Sequence, residues 1–354
     1  MFEHEIKIAE LTVQRAAVLT ELVRAPEAWS KDYDAMFKAD DTDLTIADLG
    51  SQALIISAIR HNFPDDTFIG EESADLLRED ERLRTRVWEY IEKTRLDDES
   101  EVFLGRPTSP DDMMDCVDLG GNGMGGSGRV WVLDPIDGTK AYIQAGQYAV
   151  CLCLIVDGKV SAGVLACPNL VLKPGVLVDD STANPESSGY IISVIKSQGV
   201  RLRPLGKTIL QAHVELPQLE RPKTVSQLRS ITSLQSSTSD FEKRQTVEAK
   251  LGITTQTGNV FSVQMAYVAI ALGGYSLMLR IPKKETHRGR VWDHAPGQLI
   301  FEEMGGKVTD LRGSDIDFSL GRGCDNNWGN VAAPQELHEQ VIERVKAVMQ
   351  RGSA

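Results

Sequence analysis

Two carboxylates three residues apart, Asp134 and Asp137, sit in the segment Trp131-Val132-Leu133-Asp134-Pro135-Ile136-Asp137-Gly138-Thr139. They leave the end of a short apolar run, 130–133, that reads as a buried strand. Carboxylate oxygens gathered at such a place make a hard, all-oxygen site of the kind Mg²⁺ prefers. Pro135 pushes Asp134 away from helical geometry and holds its own φ near the turn value. The bend can aim both side chains and the Ile136 carbonyl at one cation. Gly138 and Thr139 follow, with backbone N–H groups that can face an anion. The segment points to a metal and a phosphate together.

Three more acidic residues stand at element boundaries beside small residues. Asp48 opens a helix after Thr45-Ile46-Ala47, and Glu71 follows the strand 67–69 within Gly70-Glu71-Glu72-Ser73. Asp293 starts the helix of Trp292-Asp293-His294 that leads to Gly305-Gly306. Each alone has a structural reading: Asp48 and Asp293 sit where helix N-caps belong, and Glu71 can be solvated. Capping does not account for the dense segment 134–139, and taken together the residues favour a site.

The elements that must position them follow from periodicity. Ile6, Ala9, Val13, Ala17 and Leu22 predict an amphipathic helix over 3–24, and Ala53, Ile56 and Ile59 a second over 48–60. A strand at 67–69 precedes an acidic helix over 75–93. Residues 96–128, with Pro107, Pro110 and glycines from Gly120 to Gly128, read as a long loop. Strands are expected at 129–133, 148–156 and 159–166, the last two joined by the hairpin signal Asp157-Gly158. After a break at 167–188 come strand 189–195, helices near 240–251 and 261–272, strand 275–280, and helices 294–304 and 335–350. That alternation predicts an α/β second half. The expected division is an α+β domain over 1–167 carrying most metal ligands and an α/β domain over 168–354 carrying Asp293 and the substrate pocket.

Composition narrows the class. A chain of 354 residues, 42% hydrophobic and 25% charged, suits one large or two ordinary globular domains. No run approaches the length of a membrane span. The acidic start Met1-Phe2-Glu3-His4-Glu5 does not read as a secretory signal, and Arg351-Gly352-Ser353-Ala354 carries no prenylation cysteine. Five cysteines, among them Cys151 and Cys153 alternating on one strand face and Cys167 beyond another, read as buried free thiols in a reducing compartment. No Cys/His cluster has zinc spacing. A net charge of −13 argues against nucleic-acid binding, so phosphate must be neutralised locally. The expectation is a cytoplasmic monomer with a small phosphorylated substrate.

The set Gly70-Glu71-Glu72-Ser73, Asp134-Pro135-Ile136-Asp137-Gly138-Thr139 and Trp292-Asp293-His294 resembles the inositol monophosphatase superfamily of Mg²⁺-dependent, lithium-sensitive phosphatases. Asn62-Phe63-Pro64-Asp65-Asp66, Gln147-Tyr148-Ala149-Val150-Cys151, Ile155-Val156-Asp157-Gly158 and Asp317-Phe318 are similar to the 3′(2′),5′-bisphosphate nucleotidases within it. The resemblance implies a layered αβαβα sandwich of the inositol monophosphatase and fructose-1,6-bisphosphatase type. It implies hydrolysis of the 3′(2′)-phosphate of adenosine 3′(2′),5′-bisphosphate to AMP, with two to three Mg²⁺ ions. Glu71, Asp134 and the Ile136 carbonyl would hold one ion, Asp134, Asp137 and Asp293 a second, and Glu71 with water a third. Thr139 and Asp48 would activate water. Gly138, Thr139, Arg280 and Asp293 would bind substrate.

The pocket departs from the nucleotidase pattern. Leu234-Gln235-Ser236-Ser237-Thr238-Ser239-Asp240 has no histidine where the family carries one, and Val263-Gln264-Met265-Ala266-Tyr267 lacks the usual serine and lysine. Ala141-Tyr142-Ile143-Gln144-Ala145-Gly146 also differs from the family's Gly-Phe-Leu-Arg-Gly-Glu. Lys283, Lys284, His287, Arg288 and Arg290 form a basic stretch before Asp293 that reads equally as a second anion site, with Arg280, or as a solvated loop. Trp131 and Trp292 read as core support for the carboxylates. An inositol polyphosphate or another small phosphorylated metabolite stays open as substrate, as does a ligand-binding protein without turnover.

Overall fold

The computed structural model describes residues 2–24, 36–37, 43–121, 123, 125–217 and 219–350. The tail 351–354, read above for a lipidation signal, lies outside the described residues, as does Met1. Five layers stack as α, β, α, β, α. The first is built on helices α1 (Glu3–Arg24) and α2 (Ile46–Asn62), with α3 (Asp75–Glu79), α4 (Glu81–Lys93) and α5 (Pro110–Leu119). A short α6 (Thr139–Ile143) lies beside the site. Then comes a six-stranded sheet in the order Thr67–Gly70, Arg129–Asp137, Ala149–Val156, Lys159–Cys167, Tyr190–Ile195, Val200–Pro204. Its first pair is parallel and the rest antiparallel. The expected division at 167/168 falls between the fourth and fifth strands of this sheet.

The middle layer is α8 (Val263–Leu272) and α9 (Ala295–Glu303), whose Met265, Val268, Ile300 and Phe301 share a core with Cys151, Leu165 and Ile192. A five-stranded sheet follows in the order Gly258–Asn259, Ser230–Thr232, Leu277–Arg280, Asn330–Pro334, Gly306–Thr309. The last layer is α7 (Phe241–Leu251) and α10 (His338–Met349), with Val247, Leu251, Val341 and Val345 packed on Leu277, Leu279 and Val331. This is the layered sandwich that the motifs imply.

Several elements differ from expectation for physical reasons. α1 is buried on nearly every side rather than amphipathic, and most of its buried polar residues find partners. Arg15 donates to the carbonyls of Leu54 at 3.0 Å and Gly105 at 2.7 Å and pairs with Glu101. The acidic helix at 75–93 breaks at Asp80, whose carboxylate caps α4 through Arg82 and Leu83 N–H groups. The loop over 96–128 contains α5. Pro110 does not break this helix but occupies its first turn, Ser109 caps Asp112 N at 3.1 Å, and Met113, Cys116 and Val117 are buried. The second half is a mixed sheet with short strands at 230–232, 306–309 and 330–334 that carry too few residues for a period to show. All five cysteines are free and buried. Among the described residues no helix is long and apolar enough to cross a membrane.

Candidate active site

A regular strand points residues i and i+3 to opposite faces. Asp134 and Asp137 escape that rule because the strand does not end at 133. It continues to Asp137 through a β-bulge: Asp134 pairs with Cys151 and Asp137 with Ala149, three residues against two. The extra residue returns Asp137 to the side of Asp134 and sends Ile136 into the core with Leu133. Asp134 Oδ1 accepts the Ile136 N–H at 3.1 Å, closing the bend. Gly138 then takes φ 91°, and a Cβ there would come within 2.7 Å of the Ser262 Cβ. Only glycine lets the chain turn into α6 at this spot.

Thr139, the first residue of α6, meets Asp48 across the cleft: its Oγ1 lies 3.3 Å from Asp48 Oδ1 and 3.1 Å from the Ile136 carbonyl. Asp48 is not the N-cap of α2. Thr45 is, and Asp48 is the third residue of a capping box, its Oδ2 accepting Thr45 N at 2.7 Å and Thr45 Oγ1 at 2.6 Å. Such a cap contributes about 1 kcal/mol. One carboxylate oxygen is thus committed to the helix and the other is turned toward Thr139.

Asp293 closes a 3₁₀ turn, Val291–Asp293, ahead of α9, so it too is not the helix cap; His294 holds that position. Gln264 joins this turn to the bulge. Its backbone N–H donates to Asp137 Oδ2 at 2.7 Å, its side-chain amide donates to the Trp292 carbonyl at 2.7 Å, and its Oε1 accepts Gly297 N at 2.8 Å. Ser262 caps α8 and also donates to Asp137 Oδ2. As a result Asp134, Asp137 and Asp293 each bring a carboxylate oxygen within 4.8 Å of the others. Glu71, just past the strand Thr67–Gly70, faces the same cavity and raises the pKa of Asp134 and Asp293 through its charge.

The electrostatics describe a cage that is costly to leave bare. Burial, then the charges of Glu71, Asp137, Asp293 and Asp48, pushes Asp134 well above the usual carboxylate range. Burial lifts Asp137 to about 6 against the bonds from Ser262 and Gln264. Burial and Asp137 lift Asp293 to about 7, with Arg280 opposing. Three carboxylates with raised proton affinity and an all-oxygen donor set fit a hard divalent cation, which replaces the protons and removes the repulsion.

The cage opens into a cavity of about 400 Å³ lined by Gly138, Thr139, Ala266, Arg280 and the serine-rich stretch 233–239. Among the described residues its lining cations are Arg280 and Lys140. Lys140, whose Nζ stands 5.3 Å over the Phe261 ring, was missed in the sequence because it lies within the metal motif and away from any basic cluster. The basic stretch 283–290 is not part of the lining. There Lys283 donates to the Ser237 carbonyl at 2.8 Å and Arg288 to the carbonyls of Asp325, Glu285 and His287. Trp131 and Trp292 are buried, as expected of core residues, with Trp131 Nε1 donating to Asp66 at 2.8 Å.

Residues 4–350 match the model of the inositol monophosphatase family. The chain is 38% identical to the 3′(2′),5′-bisphosphate nucleotidase of Emericella nidulans, over 98% of this chain and 99% of that one. It is 35% identical to the 3′(2′),5′-bisphosphate nucleotidase of Schizosaccharomyces pombe, over 98% and 96%. Its fold is similar to that of a Thermotoga maritima IMPase, with a TM-score of 0.58 at 15% identity, covering 99% of both chains.

Proposed function

The chain belongs to the inositol monophosphatase family, and from that premise we propose a Mg²⁺-dependent phosphatase that removes the 3′(2′)-phosphate of adenosine 3′(2′),5′-bisphosphate to leave AMP. The observation that carries this reading is the convergence of Asp134, Asp137 and Asp293 beside the Thr139–Asp48 pair, in a chain matched to bisphosphate nucleotidases along nearly its whole length. Glu71, Asp134 and the Ile136 carbonyl would hold one ion, Asp134, Asp137 and Asp293 a second, and Glu71 with water a third. Bound there, Mg²⁺ supplies Lewis-acid stabilisation to the charge on the transferring phosphoryl group.

The chain's own groups do the rest. Asp48 Oδ1 accepts the Thr139 hydroxyl proton, which leaves the Thr139 oxygen lone pairs to take a proton from the attacking water. Asp48 Oδ2, held by Thr45, keeps the carboxylate from rotating away. Backbone N–H groups of Gly138 and Thr139 hold the reacting phosphate, Asp293 contacts the substrate at the cavity wall, and Arg280 and Lys140 face its second phosphate. Five unpaired buried cysteines support a reducing cytoplasm, and we take the protein to act there as a monomer. Sensitivity to lithium goes with the same reading.

A second reading, an inositol polyphosphate as substrate, rests on the hydroxyl-rich wall at 233–239 and on the absent histidine and lysine. Phosphate release across nucleotide, inositol and sugar phosphates, with and without Mg²⁺, separates the two. The nucleotidase reading expects the highest kcat/KM on adenosine 3′,5′-bisphosphate and none without the ion. A preference for inositol 1,4-bisphosphate overturns it.

A further inference from the structure

Glu71 and Asp293 reach the cage from opposite ends of the chain, and no bond between their own side chains is needed to align them. The alignment comes from a loop far downstream. Arg322 is half-buried, and its guanidinium lies over the Trp292 ring with 4.6 Å between its carbon and the ring centroid. The same group donates to the carbonyls of Gly70 at 2.6 Å, Gly120 at 3.1 Å and Glu71 at 3.2 Å. Its backbone is tied on the other side: the Arg322 carbonyl accepts Val291 N at 3.1 Å, Gly323 bridges Arg290, and Cys324 N donates to the Gly289 carbonyl at 2.9 Å. One residue therefore grips the end of the strand that delivers Glu71 and the turn that delivers Asp293.

The chemistry of Arg322 suits that task. A planar guanidinium stacks on an aromatic face while its edge fans out to several acceptors, which an ammonium cannot do. Arg322 does not line the cavity, and its donors are turned toward backbone carbonyls rather than outward to an anion. Gly70 N also donates to the Gly120 carbonyl at 2.8 Å, so Arg322 completes a junction of three backbone segments rather than decorating one.

We propose that Arg322 is a positioning residue for the metal cage, holding the Glu71 segment in register with the Trp292-Asp293 turn. The proposal rests on the cation reading above. Outer-shell partners of metal ligands typically cost about 10–100-fold in metal affinity when removed. Isothermal titration of the full chain with MgCl₂ alone, without substrate, is the test. Arg322→Ala should raise the Mg²⁺ dissociation constant by about 10-fold or more, and added guanidinium chloride at low millimolar concentration should restore part of it. Arg322→Lys, which keeps the charge and loses the fork, should also bind more weakly than wild type; it carries the test alone if the alanine variant does not fold. Arg221→Ala removes another arginine-to-carbonyl bond, to Met304 at 2.7 Å, away from the cage, and should leave the constant unchanged. Wild-type affinity in a folded Arg322 variant, or equal loss in the Arg221 variant, overturns the proposal. A wild-type chain that binds no Mg²⁺ overturns the cation reading instead, and this proposal with it.

Discussion

At the floor of the cavity Asp48, Asp134 and Asp137 are 0%, 2% and 5% exposed, and most of their oxygens are held by named donors. On the outer wall Ser233, Ser236, Ser237 and Ser239 are half-buried or exposed, with the Ser236 hydroxyl bonded to those of Thr238 and Ser239. The floor draws residues from four separated stretches and locks them with a bulge, a capping box and the Gln264 bridge. The wall is one continuous stretch, tied to its neighbours by single bonds such as Lys283 Nζ to the Ser237 carbonyl, Lys283 N to the Thr238 carbonyl and Leu234 N to Asn259 Oδ1. A half-exposed surface of that second kind can change its residues at less cost to the fold than the buried floor can. Under the function proposed above, chemistry belongs to the buried floor and selectivity to the more exposed wall.

Substitutions on the floor should have the largest effects. Asp134→Asn should lower kcat by about 10³-fold or more, the upper end for a preorganised electrostatic group, while the circular dichroism spectrum stays that of the wild type. Near-normal turnover would separate the floor from catalysis. Thr139→Val should lower kcat by about 10²-fold or more with Mg²⁺ affinity kept, because it removes a proton-transfer group and no ligand. A matching loss of Mg²⁺ binding would reassign Thr139 to the cage.

Cavity-lining residues outside the carboxylate cage should respond in KM instead. Lys140→Ala should raise KM for adenosine 3′,5′-bisphosphate by about 10-fold, the worth of one charge-assisted hydrogen bond, and leave a monophosphate substrate unaffected. Equal changes on both substrates would place Lys140 at the reacting phosphate. Ala266→Lys, which returns a cation to the cavity lining, should lower that KM by a smaller factor.

The smallest effect is a dependence on pH. Asp137 and Asp293 sit at about 6 and about 7, against about 3.9 in an unfolded chain. The ion-free folded protein therefore keeps protons that the unfolded chain has released, and its stability falls as pH rises from about 4 through about 7. A cation needs the deprotonated oxygens, so Mg²⁺ should raise the melting temperature more at about pH 8 than at about pH 5.5. The same rise at both would detach the ion from these carboxylates.

The sequence made much of the floor legible and little of the wall. Asp134, Asp137, Gly138 and Thr139 are contiguous, so their chemistry shows in a single line, and the long apolar strands and helices around them carry clear periods. The bulge was hidden, because a strand that gains one residue looks like a strand that stops. Asp48 was legible as a boundary residue, though not as one whose two oxygens serve a cap and Thr139 separately. Gln264 and Arg322 carry no sign of their role in the sequence: their side chains bond to backbone groups, which every residue has and no motif records. Helix α5 is hidden because Pro110 marks a loop as readily as it marks the first turn of a helix.

Under the function proposed above, Asp134, Asp137 and Asp293 share a divalent cation. A crystal grown with MnCl₂, read by anomalous scattering at the manganese edge, tests it without reference to any substrate. An anomalous peak is expected between those three carboxylates, with a further peak toward Glu71 and the Ile136 carbonyl. A cavity floor without such a peak, in crystals that show manganese elsewhere or nowhere, would contradict it.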